Sequence, residues 1–236
     1  MAVIAGSWRS VRYSSVQVCF TFAPPCRDGV CVIMEIKEAK YLTSCPSVDD
    51  CPQTIRTEVA FIGRSNVGKS SLINMLCNNS RLAKTSGIPG KTRLINYFEI
   101  KTSEGLLYFV DLPGYGFAKV SQSDRRRWQQ MIEGYLRKRK NLANLFVLID
   151  SRHLPQQIDL EFIGKLGKWQ LPFTLVFTKS DKNKPALVEK HVNIFMEALR
   201  QDWEKPPVFF VSSIVNKSGR SEILNYISRI KNPYKI

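Results

Sequence analysis

Residues 63–70 read Gly63-Arg64-Ser65-Asn66-Val67-Gly68-Lys69-Ser70. An apolar run, Glu58–Ile62, leads into them, and a helical stretch, Ser70–Cys77, leads out. A G-x-x-x-x-G-K-S loop in that setting constrains the fold strongly. Its glycines let the backbone wrap a phosphate chain, and its N–H groups, with the helix N-terminus behind them, bind an anion. Lys69 then reaches the β- and γ-phosphates as a point charge, and the Ser70 hydroxyl is placed for Mg²⁺. An ordinary glycine-rich turn before a helix would need neither the lysine nor the hydroxyl.

The rest of the chain follows the same plan. Residues 80–92 hold Gly87, Pro89 and Gly90 without any period and are expected to form a loop. Arg93–Ile100 and Leu106–Val110 read as strands of a hairpin across the turn Lys101–Gly105. Ser123–Lys140 reads as a helix with Trp128, Ile132, Tyr135 and Leu136 on one face. Strands at Leu145–Ile149, Phe173–Phe177 and Val208–Val211 then alternate with helices at Gln157–Lys168, Ala186–Trp203 and Ser221–Ile230. This pattern predicts a three-layer α/β domain over residues 57–236, with a six-stranded, mostly parallel sheet and helices on both faces. Residues 34–56 are expected to be a lead-in.

Four further loops carry chemistry. Asp111-Leu112-Pro113-Gly114 follows the Leu106–Val110 strand. Its carboxylate suits the water shell of Mg²⁺, and the Gly114 N–H suits a γ-phosphate. Thr178-Lys179-Ser180-Asp181 follows Phe173–Phe177 and selects the base. A carboxylate accepts from both N1–H and the N2 amino group of guanine, whereas adenine has no donor pair there. Left unpaired on the wrong base, it would lose about 1–3 kcal/mol per bond. Val211-Ser212-Ser213 offers a backbone N–H to the guanine O6. Thr92, within Gly90-Lys91-Thr92-Arg93-Leu94, is placed beside a strand, as a hydroxyl that completes Mg²⁺ coordination should be. Lys69, Thr92 and Gly114 are the expected catalytic contacts.

Composition narrows the partner. The 236 residues hold 35 Lys and Arg against 20 Asp and Glu, a net charge of +15. That balance favours a polyanion, such as nucleic acid. No apolar run is long enough for a membrane span. Of six cysteines, five precede residue 52, and none forms a C-x-x-C pair. Reduced thiols in a cytoplasmic protein fit better than zinc. Residues 1–33 show no period. They read as an N-terminal extension from an upstream start codon, with Met34 as the natural start. A transit peptide is the alternative.

The motifs GRSNVGKS, PGKTR, DLPGYGFAKVS and DSRH (Asp150–His153) together resemble the EngB (YsxC/YihA) group of Ras-like, P-loop GTPases. The resemblance covers about residues 34–236. It implies a monomeric GTP- and Mg²⁺-binding domain that acts in large ribosomal subunit assembly and is linked to cell division and septation. The alternative is a nucleotide-gated interaction protein of the septation machinery. The chain departs from the family pattern in the Ser180 of TKSD, in the DSRH form of its D-x-R-H frame, and in residues 1–33.

Two features bear on mechanism. Many GTPases place a glutamine after the D-x-x-G glycine to orient water; here that position is Tyr115. Slow intrinsic hydrolysis is therefore expected, aided by the ribosome or by K⁺. Arg64 and Arg93 are arginine-finger candidates by proximity alone. Asn66 suits a K⁺ contact, as in related GTPases lacking the glutamine, or is simply a turn residue. The second feature is a basic helix. Arg125, Arg126 and Arg127 begin it, and Arg137, Lys138, Arg139 and Lys140 end it. A cationic C-terminal turn complements the helix dipole, but arginines at the N-terminal end oppose it. That mismatch favours a phosphate-backbone partner over a merely solvated face, and the resemblance implies that this partner is ribosomal RNA.

Overall fold

The computed structural model describes residues 34–84, 94–116, 122–200, 203 and 205–231, without the side chains of residues 122 and 125. Seven strands form one sheet: β1 (Ile36–Cys45), β2 (Glu58–Gly63), β3 (Ile95–Thr102), β4 (Gly105–Asp111), β5 (Leu142–Asp150), β6 (Phe173–Thr178) and β7 (Phe209–Val211). Their spatial order is β1-β3-β4-β2-β5-β6-β7. The pairs from β4 through β7 are parallel, whereas β1–β3 and the β3–β4 hairpin are antiparallel.

Among the described residues the sheet thus has seven strands and not the six expected. The additional one, β1, is a polar edge strand, IKEAKYLTSC. Only Cys45 is fully buried in it, so its sequence lacks the apolar alternation that marks the inner strands. Two register shifts, between Ile36 and Glu38 and between Tyr41 and Thr43, break the pattern further.

Among the described residues, five α-helices cover the sheet: α1 (Lys69–Leu76), α2 (Gln122–Lys138), α3 (Gln157–Lys168), α4 (Pro185–Arg200) and α5 (Arg220–Lys231). Alternate residues of each strand feed opposite cores. From β2, Val59 and Phe61 join Leu72 and Ile73 of α1 and Ile223 and Ile227 of α5. Ala60 and Ile62 join Tyr135 of α2, Ile163 of α3 and Phe195 of α4 on the other face. The parallel strands are therefore buried on both faces, which explains their continuous apolar runs. Phe61 anchors the first core, stacked on Phe146 at 5.3 Å and edge-on to Phe109 at 5.1 Å. Among the described residues, no helix is long and apolar enough to cross a membrane. The important consequence is positional: β2, β4, β5 and β6 run parallel side by side, so the loops after them open at one edge.

Candidate nucleotide-binding site

The phosphate loop is shaped by close approach. A Cβ on Gly63 would lie 2.8 Å from both the Leu148 carbonyl and Val67 Cγ1, so only glycine fits beside β5. Gly68 takes φ 104° as the cap before α1, and Asn66 takes φ 61°, which asparagine tolerates. The turn closes with Val67 N–H on the Arg64 carbonyl at 3.3 Å. Lys69 begins α1, is almost completely buried, and forms an ion pair with the Asp111 carboxylate at the end of β4. Ser70 follows it, half-buried, as is Ser65 earlier in the loop. Parallel pairing of β2 and β4, with Phe61 beside Asp111, brings these two motifs together.

The DLPG loop then leans on the phosphate loop. Leu112 N–H donates to the Phe61 carbonyl at 3.0 Å, and Tyr115 N–H to the Gly63 carbonyl at 3.3 Å. Leu112, Pro113 and Gly114 are all buried. A Cβ on Gly114 would lie 2.7 Å from the Gly63 carbonyl oxygen. The Tyr115 side chain is buried too, so it is not presented to solvent.

The base-side motif is wired to the same loop. Thr178 hydroxyl donates to the Val67 carbonyl at 2.6 Å. Lys179, at φ 62°, donates from Nζ to the Asn66 carbonyl at 2.5 Å and to Asp150 Oδ2 at 2.8 Å. Asp150 also takes both Arg152 nitrogens, Nε at 2.9 Å and Nη2 at 2.8 Å. Despite burial, these bonds hold its carboxyl well below the usual carboxylate range. Sequence reasoning met Asp150 only as part of the DSRH resemblance; its place at the end of an apolar strand, like Asp111, was the usable signal.

Asp181 accepts from the Ser213 hydroxyl at 2.6 Å and pairs with Lys182 at 3.0 Å. Chiefly through the Ser213 bond, its carboxyl is held below the ordinary value. Ser180 N–H donates to the Ser212 carbonyl at 3.2 Å, tying TKSD to VSS. The amides of Ser212 and Ser213 are engaged internally, by the Phe177 carbonyl at 2.8 Å and the Ser218 carbonyl at 3.3 Å. Ser213 also ties this loop to Asp181 through its hydroxyl, and Val211 lies in β7 just ahead of both serines.

Three other expectations change or fall elsewhere. Arg64 is no free finger: its Nε pairs with the buried Asp159 at 3.1 Å. Arg139 is not part of the exposed basic surface. Helix α2 ends at Lys138, and Arg139 turns inward to an ion pair with Glu58, which is fully buried. Glu58 also accepts from Tyr135 at 2.7 Å, Tyr97 at 3.2 Å and Asn141 at 3.1 Å. Arg126, Arg127, Arg137, Lys138 and Lys140 are exposed, with Arg137 paired to Glu133 at 3.0 Å. Asp124 supplies an acid in the first turn of α2 ahead of the arginines. The Arg125 side chain, Gly90, Lys91, Thr92, Arg93 and residues 1–33 lie outside the described residues; Leu94 is exposed just before β3.

Residues 58–179 match the family described as "50S ribosome-binding GTPase". The chain is 48% identical over 199 residues to a probable GTP-binding protein EngB of Christiangramia forsetii, covering 84% of this chain and 99% of that protein. It is 50% identical over 202 residues to the probable GTP-binding protein EngB of Phocaeicola vulgatus, covering 86% and 100%. A crystal structure of a probable GTP-binding protein engB superposes with a TM-score of 0.59 at 25% identity, over 75% of this chain and 100% of that one. The fold is shared with Era, in its complex with MgGDPNP and nucleotides 1506–1542 of 16S ribosomal RNA, at a TM-score of 0.62 and 22% identity over 74% of this chain and 56% of that one. On this evidence the chain is a guanine-nucleotide-binding GTPase that belongs to the EngB family.

Proposed function

We propose that the protein is a GTP-operated switch that binds the large ribosomal subunit during its assembly and hydrolyses GTP slowly on its own. In this reading residues 63–70 wrap the α- and β-phosphates and Lys69 moves from Asp111 to the β- and γ-phosphates. Asp181 takes the guanine N1–H and N2 amino group while Lys179 lays its stem along the ring. The donor set fits Mg²⁺. Ser70 and Asp111 flank Lys69, and among the described residues no cluster of three or more His, Cys, Asp or Glu forms a self-sufficient metal cage. Mg²⁺ bound mainly by phosphate and water needs only such a sparse oxygen set. Ser70 would hold it directly, Asp111 through water and Thr92 as a further hydroxyl; the ion would neutralise charge developing on the phosphates. The exposed side chain of Asn66 lies on the same loop, where K⁺ would add charge. Faster hydrolysis in K⁺ than in Na⁺ is the result expected for that role.

The observation that carries the ribosome reading is the exposed cation set of α2, Arg126, Arg127, Arg137 and Lys138, on the helix that follows the DLPG loop. The family name gives the 50S particle as the matching polyanion. Binding of ribosomal RNA by such a helix is dominated by phosphate contacts. A change at Gly114 is passed along the chain into α2, which links nucleotide state to grip. Sedimentation of the protein through a gradient of ribosomal subunits tests this. Migration with the large subunit in the presence of a GTP analogue is expected. A protein that stays at the top in every nucleotide state belongs with the division machinery instead.

A further inference from the structure

The features that set this chain apart from a plain phosphate-loop GTPase meet at one buried carboxylate. Arg64 comes from GRSNVGKS, Tyr115 from DLPGYG, and Asp159 lies six residues past His153 of DSRH, in the first turn of α3. Asp159 is fully buried. Its Oδ1 accepts from the Tyr115 hydroxyl at 2.9 Å and from Arg64 Nε at 3.1 Å. Its Oδ2 is buried with no hydrogen-bond partner among the described residues. A buried carboxylate satisfied through one oxygen is a poor way to pack a helix against a loop, since an apolar side chain of similar size would stabilise more. Packing alone therefore does not account for it.

The same cluster restrains the backbone at Gly114. Tyr115 follows that glycine directly, its ring stacks on Phe162 of α3 at 4.3 Å and 17°, and its N–H is on the Gly63 carbonyl. Arg64 and Tyr115 also form an isolated parallel bridge. The Gly114 amide is thus set by a ring stack, a backbone bridge and a hydroxyl held by Asp159. Arg64 ties that carboxylate back to the phosphate loop. We infer that Asp159 is a positioning residue for GTP hydrolysis: through Tyr115 and Arg64 it locks the start of the DLPG loop to the phosphate loop and fixes where the Gly114 amide meets the γ-phosphate. This rests on the reading that Gly114 contacts the γ-phosphate.

The test measures GDP and non-hydrolysable GTP-analogue affinities, with single-turnover hydrolysis, in the full chain. Y115F keeps the stack on Phe162 and removes only the hydroxyl. D159A removes the acceptor. Both are expected to bind GDP within about twofold of the parent and the analogue about 5–10-fold more weakly, with hydrolysis slowed about tenfold. D159N leaves a carbonyl oxygen for both donors and should restore most of the difference between the nucleotides. G114A is the reference, because its added methyl meets the Gly63 carbonyl and displaces the amide. If G114A discriminates between the nucleotides and Y115F and D159A do not, the positioning role is overturned. If Y115F and D159A weaken both nucleotides equally in step with a lowered unfolding midpoint, the cluster is structural and the inference also fails. If G114A itself treats GDP and analogue alike, the γ-phosphate reading falls, and the inference with it.

Discussion

The Ser213 hydroxyl donates to Asp181 Oδ1 at 2.6 Å, joining the loops after β6 and β7 at the point where a guanine would be read. The bond fixes one oxygen of the carboxylate and favours its ionised form. A preorganised, charged acceptor is what a donor pair on the guanine edge requires.

Replacing Asp181 tests that assignment. D181N turns one acceptor into an amide donor, which clashes with the guanine N2 amino group and matches the carbonyl of xanthine. GTP affinity should fall by about 10–150-fold, from the loss of one charge-assisted bond of about 1.5–3 kcal/mol, and preference should turn to xanthosine nucleotides. Competition binding with GTP and XTP measures both; unchanged GTP binding contradicts the assignment. S213A should have the same sign and a smaller size, about 3–10-fold.

Arg139 should matter for folding and not for RNA. R139A leaves Glu58 buried without its cation, beside Tyr97 and Tyr135, and should destabilise the fold by about 3–5 kcal/mol. Urea unfolding measures the loss. K140A, which alters an exposed neighbour, should change stability by less than about 0.5 kcal/mol.

Asp159 makes stability depend on pH in a specific direction. Burial, acting against the Arg64 charge, raises its carboxyl above the ordinary 3.8. The fold therefore favours the protonated form. That contribution is fully present below the unfolded value and is lost as pH rises through the raised folded value. D159N carries no charge to desolvate, so it should be more stable than the parent near neutral pH, and the gap should narrow on acidification. Urea midpoints of both proteins from neutral pH down to the ordinary carboxylate value check this; a gap that widens toward acid contradicts it.

What the sequence made legible follows from how narrowly each motif constrains side chains. The phosphate loop, DLPG and TKSD each demand particular residues at strand ends, and the alternation of apolar strands with helices indicated a mostly parallel sheet. Strand β1 escaped because an edge strand with one fully buried residue need not alternate. Arg139 was misread because a run of cations looks like a surface, and nothing local reveals Glu58, 81 residues earlier, beneath it. Asp159 escaped for a similar reason: one acid in an amphipathic helix reads as solvent-facing until Arg64 and Tyr115 are brought against it.

The exposed arginines of α2 should carry the salt dependence of RNA binding. Replacing Arg126 and Arg127 by alanine removes up to two phosphate contacts. The slope of log affinity against log salt for large subunits should then fall by about 1.5–2 units. GTP affinity should stay within about twofold, since neither side chain belongs to the nucleotide site. Titrations at several KCl concentrations decide it, and an unchanged slope returns both arginines to an ordinary solvated face.

In the proposed switch, nucleotide state, sensed at Gly114, controls the grip on the large ribosomal subunit. The most direct measurement is the affinity of the full chain for purified large subunits at one salt concentration, with a non-hydrolysable GTP analogue and with GDP. A two-state switch with a coupling free energy of about 1–3 kcal/mol predicts binding about 5–150-fold tighter with the analogue. Equal affinity in the two nucleotide states, or no binding to the large subunit in either, would contradict the account.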